Sequence, residues 1–394
     1  MAGSGRAGNA KRRAAWVGGL LLLIAVLAWL LWPKPVQPLR ANVVAAAAPA
    51  DTAGFTRIEG PRPLTFPADH GPHDDTQTEW WYYTGNLTAE TGEHFGYQLT
   101  FFRRALEPPN LRVRRKSAWG ADQVYMAHFA VTDVAGGKHH STERFARGAA
   151  GLAGARAAPY RVWLDDWSVS EEPDGRVVLR AKADDVALAL TLRDLKGPVF
   201  QGDRGYSRKG PEPGNASIYY SQPRIDTTGA VTVGGKTFAV EGLSWMDHEF
   251  STSALGPELA GWDWFSLQLD DGSEVMLYAL RRADGSRDPF SSGTLIAPDG
   301  LTRPVGPDEF EIQPTGEWRS PRTGGVHPAG WTVTVPSADL RLTVTPYLAD
   351  QEMQTSLPYW EGATRVSGTR AAQPITGNGY VELTGYARSL QGQF

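Results

Sequence analysis

The feature that most narrows the choice of fold is an internal repeat. Phe145 recurs as Phe310, Trp167-Ser-Val as Trp331-Thr-Val, and Gly214-Asn215 as Gly377-Asn378, in the same order and each about 164 residues on. DVALALTLR is echoed by DLRLTVTPY, and the hairpin TEWWYYTGNL…FGYQLTFFRR by WDWFSLQLDDGSEVMLYALRR, each closing on two arginines, Arg103–Arg104 and Arg281–Arg282. That spacing is far above a solenoid period, so each copy is expected to be a complete unit. Within each copy, apolar and polar residues alternate over short runs broken by glycine turns such as Gly136–Gly137, the mark of antiparallel strands. The 44 glycines, 28 prolines and 14 tryptophans suit strands and turns better than long helices. The sequence therefore predicts an all-β chain: two tandem antiparallel β-barrels over 61–228 and 229–394, joined near Asp226–Gly235. A barrel of this size can close around one apolar ligand, and a filled sandwich is the alternative the pattern leaves open.

The amino terminus places the chain. Residues 1–13, ending in Lys11, Arg12 and Arg13, form an expected cytoplasmic tail. They precede 14–32, AAWVGGLLLLIAVLAWLLW, which carries no charge and at about 1.5 Å per residue reaches across a bilayer core. The expectation is one N-terminal transmembrane helix in the inner membrane, a Pro- and Ala-rich linker over 33–60, and the β domains in the periplasm. Cleavage of a signal sequence in the Ala45–Ala48 run is the rival, and the body is then secreted. A net charge of −4 argues against a nucleic-acid partner, and the absence of cysteine removes thiolate chemistry and Cys-ligated zinc. Neither Ser207 nor Ser244 completes a nucleophile elbow, and dinucleotide, P-loop and H-E-x-x-H signatures are missing.

Chemistry-bearing residues concentrate in Gly242–Asp271, GLSWMDHEFSTSALGPELAGWDWFSLQLDD. On a strand, Asp247 and Glu249 share one face while His248 and Phe250 share the other. A carboxylate for His248 must then come from elsewhere, and Asp263 is the expected source. Trp245, Phe250, Trp262 and Trp264, with Trp81 and Tyr83 from the first hairpin, are the candidate ligand-binding residues. STSALGPELAG reads as a lid-like loop. Glu79, if it points inward, needs Arg103 or Arg104 as a partner and reads as structural. His128 reads as a core histidine satisfied by a neighbour. DHGPHDD (69–75) has metal-like spacing, but a loop anchored by charge-assisted hydrogen bonds accounts for it, and no metal or cofactor is assigned.

FPADHGPHDDTQTEWWYYTGNL, FGYQLTFFRR, YYSQPRID, VEGLSWMDHEFST, WDWFSLQLDDG, YWEGATRVSG and GYVELTGYA together resemble the AttH-like / carotenoid 1,2-hydratase (hydroxyneurosporene synthase) family, from about Pro61 to the C-terminus. The resemblance implies two consecutive lipocalin-like (calycin-type) barrels, an exported and often membrane-associated protein, and a hydrophobic small molecule as ligand. Members are described as secreted hydrolases or hydratases. In the carotenoid branch the reaction is cofactor-free, acid-catalysed addition of water across a terminal C=C. That branch uses a His followed two residues on by Trp, and later a Tyr-x-Asp pair. His248 fits the histidine and Tyr278 the tyrosine, but position 250 is Phe and position 280 is Leu. The proton-donating acid is then expected at Asp263 or Asp247. A non-catalytic carrier or envelope-assembly factor is the competing reading.

Overall fold

The computed structural model describes residues 52–113, 117–252 and 255–390, together with Trp16. Residues Val43–Phe394 form one compact unit. From Thr52 onward strands carry the fold, and helix among the described residues is confined to three single 3₁₀ turns, Ala68–His70, Pro109–Leu111 and Pro336–Ala338. The chain is all-β, with one nearly closed barrel and one half-barrel, consistent with two lipocalin-like units. No described helix is long and apolar enough to cross a membrane, and the 14–32 span, Trp16 apart, lies outside the described residues.

The first sheet is centred on four strands. Thr78–Ala89 pairs with His94–Ala105 on one side and with Lys236–Ser251 on the other, and Lys236–Ser251 pairs in turn with Ala216–Val233. Gln123–Asp133 and Lys138–Arg147 extend one edge; Val186–Asp194, Val177–Ala183, Trp167–Glu171, Arg161–Leu164 and Ala153–Arg156 extend the other. The two ends curl back until they touch, which nearly closes the barrel. The second sheet runs from Thr302–Val305 through Ser292–Ile296, Glu274–Arg282 and Leu259–Leu269 to Gln373–Leu383, Trp360–Arg370, Leu340–Pro346, Trp331–Val335 and Glu311–Pro314. Both sheets thus follow one plan, a hairpin whose first strand is closed by the last strand of its own unit.

The sheets divide the chain elsewhere than at the 228/229 junction expected from the repeat. Residue 228 falls inside Ala216–Val233, and the strand after it lies at the centre of the first sheet. The long Ala216–Ser251 hairpin therefore belongs wholly to the first barrel, and the second sheet begins at Leu259.

Alternation along the strands makes three cores. One fills the first barrel around Trp81, Tyr97, Phe101, Trp167 and Tyr220; one lines the half-barrel around Phe265, Trp331 and Trp360. The third lies in the seam between the sheets and joins Tyr82, Tyr219 and Trp245 to Trp264, Tyr278 and Tyr380. Polar ties lock this seam. At a bulge between Gln222 and Ile225, Arg224 reaches across to the buried Glu274 at 2.5 Å, which Lys196 also meets at 2.8 Å.

Candidate functional site

Cross-strand register builds different chemistry on the two faces of one strand. His248 lies opposite Trp81 on one neighbour and Tyr220 on the other, and it faces the first barrel's interior. Asp247 lies opposite Tyr82 and Ser221 and faces the seam. Adjacent in sequence, they occupy separate sites.

The interior site is organised by Glu79, which is fully buried. Its carboxylate accepts from Arg103 Nε at 2.8 Å, from the His73 backbone N–H at 3.0 and 3.1 Å, from His73 Nδ1 at 2.8 Å and from His248 Nε2 at 2.8 Å. Burial would raise its pKa, but the Arg103 charge and the His248 and His73 hydrogen bonds outweigh it and hold the group well below the usual carboxylate range. With Nε2–H donating to Glu79, His248 Nδ1 accepts from the Tyr220 hydroxyl at 2.9 Å, and that oxygen accepts from His70 Nδ1 at 2.7 Å. Burial, only partly offset by Glu79, lowers the His248 pKa to about 4, so the imidazole is neutral near pH 7. Trp81 stacks on it at 4.9 Å and Phe250 lies at 5.7 Å. The DHGPHDD loop supplies His70, His73 and Asp69, and Phe250 stacks on His73 at 3.5 Å.

The ligand-type atoms of His73, Glu79 and His248 lie within 4.8 Å of one another, a spacing that suits a cation. The Arg103 guanidinium on the same carboxylate opposes one, and every polar atom of the trio is satisfied by protein. Both His248 nitrogens are committed, and Trp81 covers its ring. The cluster is a buried hydrogen-bonded network that ties the DHGPHDD loop to the barrel strands.

The seam differs. Asp247 accepts from Trp245 Nε1 at 2.7 Å, Ser221 Oγ at 2.5 Å and the Tyr219 hydroxyl at 2.6 Å, and that hydroxyl accepts from Trp264 Nε1 at 3.0 Å. Burial, with the nearby Glu249 charge, outweighs these three donors and raises the Asp247 pKa to about 7. Across the seam, burial likewise raises Glu382, which accepts from Trp262 Nε1 at 2.8 Å, to about 7. Glu361, which accepts from Tyr82 at 2.9 Å, is raised well above the ordinary range by burial and by Glu382. Trp264 meets Trp245 and Tyr82 edge-on at 6.2 and 5.2 Å. Lys209 reaches Glu249 at 3.2 Å and stands over the Tyr278 ring at 4.3 Å. Glu361 Oε1, the Tyr380 hydroxyl, Gln98 Oε1 and Thr84 Oγ1 are buried without a hydrogen-bond partner among the described residues. Native proteins leave few such atoms, and these four lie on facing strands of the two sheets.

Of the residues expected to act together, the structure collects His248, Phe250, Trp81 and Tyr83 in the first barrel, and Asp247, Trp245, Trp262, Trp264 and Tyr278 in the seam. Asp263 joins neither group. It faces the half-barrel, where it binds Arg281 and accepts from Tyr386 at 2.9 Å. The carboxylate at His248 is Glu79, not Asp263: Glu79 lies two pairs along from the Trp81–His248 pair and so on the same face, whereas Asp263 belongs to the other sheet. Tyr219, Ser221, Glu361 and Glu382 were not singled out by sequence reasoning. The signal was available for Glu361, an acid next to aromatics in YWEGATRVSG, as Glu79 is in TEWWYY.

Comparison with known proteins agrees with this architecture. No curated protein matches the chain by sequence. A crystal structure of a protein from Nitrosomonas europaea described as an AttH is 38% identical, with a TM-score of 0.75 over 84% of this chain and all of that one. The crystal structure of kievitone hydratase from Nectria haematococca shares the fold at 16% identity, with a TM-score of 0.63 over 86% of this chain and 98% of that one. The AttH-like family model matches residues 57–386, and the chain belongs to the AttH-like family.

Proposed function

We propose that this protein is a cofactor-independent hydratase that adds water across a C=C bond of a hydrophobic small molecule held in the seam, with Asp247 as the acid. The observation that carries this is a carboxyl group with its pKa raised to about 7 among Trp245, Trp264, Tyr219 and Tyr82. The Asp247 proton passes to one alkene carbon, whose π pair forms the new C–H bond. The cation left on the other carbon is stabilised by the indole faces. Water adds there and its surplus proton returns to the carboxylate. Membership of the AttH-like family, and a hydratase built on the same fold, support the reading. The role expected for His248 moves to holding the first barrel together. Anchoring of the body in the periplasm by 14–32 is part of the same proposal.

The test is incubation with acyclic isoprenoids bearing a terminal C=C in ¹⁸O-labelled water, followed by mass spectrometry. Asp247→Asn is isosteric, its amide oxygen still able to accept from Ser221 and Trp245, but it has no acidic proton to give, and is expected to lower labelling at least 100-fold, the lower end of the range for general acid catalysis, roughly 10²–10⁴. Asp263→Asn is expected to leave the rate within a few-fold. The acid form is the active one, so the rate is highest below pH 7 and is lost as pH rises through about 7. Undiminished ¹⁸O incorporation by Asp247→Asn would sink the assignment. The orphaned polar atoms also suit a carrier that retains a polar-headed lipid. A ligand extracted unchanged from purified protein, with no labelling of any alkene, decides for the carrier.

A further inference from the structure

We infer that Gln201 and Thr294 are positioning residues: they fix the direction of the hydrogen bonds at Asp247 so that its acidic proton is left for a ligand in the seam. The inference rests on the hydratase reading and adds to it two residues that act on Asp247 only through Ser221. The Asp247 carboxylate has three hydrogen-bond partners among the described residues, and all three donate. Trp245 Nε1 can do nothing else. Ser221 and Tyr219 carry hydroxyls, which can donate or accept, so their role has to be imposed. For Tyr219 it is imposed by Trp264, whose indole N–H donates to the phenol oxygen at 3.0 Å. For Ser221 it is imposed by Gln201 Nε2, which donates to Oγ at 2.8 Å. An amide can present its oxygen or its nitrogen, and Thr294 decides which: its hydroxyl donates to Gln201 Oε1 at 2.6 Å. The chain Thr294–Gln201–Ser221–Asp247 thus runs from donor to acceptor throughout, over residues at most 4% exposed. Reversed, it would end on the Thr294 hydrogen, which has no other acceptor among the described residues.

This decides where the proton of a neutral Asp247 goes. Oδ1 accepts from both Trp245 and Ser221, Oδ2 from Tyr219 alone, so the proton belongs on Oδ2. To receive it, Tyr219 or Ser221 would have to turn its own hydrogen away, and neither has another acceptor among the described residues. The other titratable groups facing Asp247 take no hydrogen bond from it. Tyr82 donates to Glu361, Tyr278 meets Ser207 at 3.1 Å, Lys209 pairs with Glu249, and Glu249 and Glu382 act on Asp247 through charge. The proton is therefore offered to the seam. The chain also crosses between the sheets. Thr294 lies on Ser292–Ile296 of the second, while Gln201 is pinned to the first by its backbone N–H, which donates to the Tyr219 carbonyl at 3.0 Å. One sheet carries the acid, and the other sets the direction of its proton.

The test replaces the donor by an acceptor of similar size. In Gln201→Met the amide gives way to a thioether that can only accept. Ser221 is then free to turn its hydrogen to the sulfur and to take the Asp247 proton itself. Labelling from ¹⁸O water in the acid range is expected to fall about tenfold, a part of the roughly 10²–10⁴ that general acid catalysis supplies. Adding Ser221→Ala removes the competing acceptor and is expected to recover about half of the lost rate or more, whereas a merely structural Gln201 makes the two losses add. A second readout needs no turnover: titration of Asp247 by carboxyl ¹³C NMR, its resonance identified by its absence in Asp247→Asn. With Gln201 in place Ser221 favours the ionised carboxylate, so Ser221→Ala is expected to raise the Asp247 pKa. In Gln201→Met Ser221 favours the neutral acid, and the same substitution is expected to lower it. Thr294→Val frees the amide to turn its oxygen to Ser221, acts in the same direction, and carries the test if Gln201→Met does not fold. The inference is overturned if Ser221→Ala recovers no rate in a wild type that labels alkenes, or if it shifts the Asp247 titration the same way in both backgrounds. A wild type that labels no alkene, with the titration shift reversing sign, sinks the hydration reading and supports the hydrogen-bond direction.

Discussion

Glu79 and Asp247 are buried carboxylates in one sheet whose surroundings drive them in opposite directions. Glu79 has a guanidinium at 2.8 Å and stays ionised; Asp247 accepts only from neutral donors, the nearest cation, Lys209, being paired to Glu249, and it holds its proton to about pH 7. The same physics leaves one as a buried charge and the other with its proton, the one the proposed hydration would use. Removing one member of a buried pair strands the other's charge. Glu79→Gln is therefore expected to cost about 3–5 kcal/mol, and Arg103→Met a similar amount, with the double variant costing clearly less than the two single losses added. Urea unfolding of the four proteins measures this. Strictly additive losses would mean that the two side chains do not act as a pair. What the sequence could tell at this scale was which residue types were present. The partner of His248 was not legible, because Glu79 is 169 positions away and reaches it through strand register alone.

At the scale of the element, most strands were legible because each buries one face and alternates accordingly, as in Val186–Asp194 or Trp331–Val335. Hairpin partners followed from the turns between them. Pairing between distant strands did not, and here the repeat misled. Gly214-Asn215 lies just before Ala216–Val233, whereas Gly377-Asn378 lies inside Gln373–Leu383. By sheet order the counterparts are Ala216–Val233 with Trp360–Arg370, and Lys236–Ser251 with Gln373–Leu383. The seam depends on a close approach that only small residues permit. A Cβ on Gly96 of the first sheet would lie 2.4 Å from the Ala363 Cβ of the second. Gly96→Ala is accordingly expected to destabilise by about 1–3 kcal/mol, and Ala363→Gly in the same chain to recover more than half of the loss. If Ala363→Gly recovers nothing in thermal melts, the sheets do not bear on each other at this point.

For the whole molecule, sequence copies and structural units are not the same partition. The repeat suggests a cut at 228/229, where one copy stops resembling the other. The sheets put Lys236–Ser251 between Thr78–Ala89 and Ala216–Val233, with backbone pairing along nearly its full length on both sides. A fragment covering 52–228 lacks that strand, so it leaves two central strands with unpaired edges and the Glu79 carboxylate without the His248 donor. It is expected to show no cooperative thermal transition by circular dichroism. A fragment covering 52–252 restores both and is expected to unfold cooperatively, at a lower temperature than 43–394. The difference follows from the exposed seam, where Tyr82, Tyr219 and Trp245 lose the cover of Trp264 and Tyr380. Cooperative unfolding of 52–228 would refute the central place given to that strand. It would also loosen the coupling between the two sites. Because His248 braces the barrel from one face of the strand while Asp247 stands on the other, the acid's position in the seam is set by the network behind it.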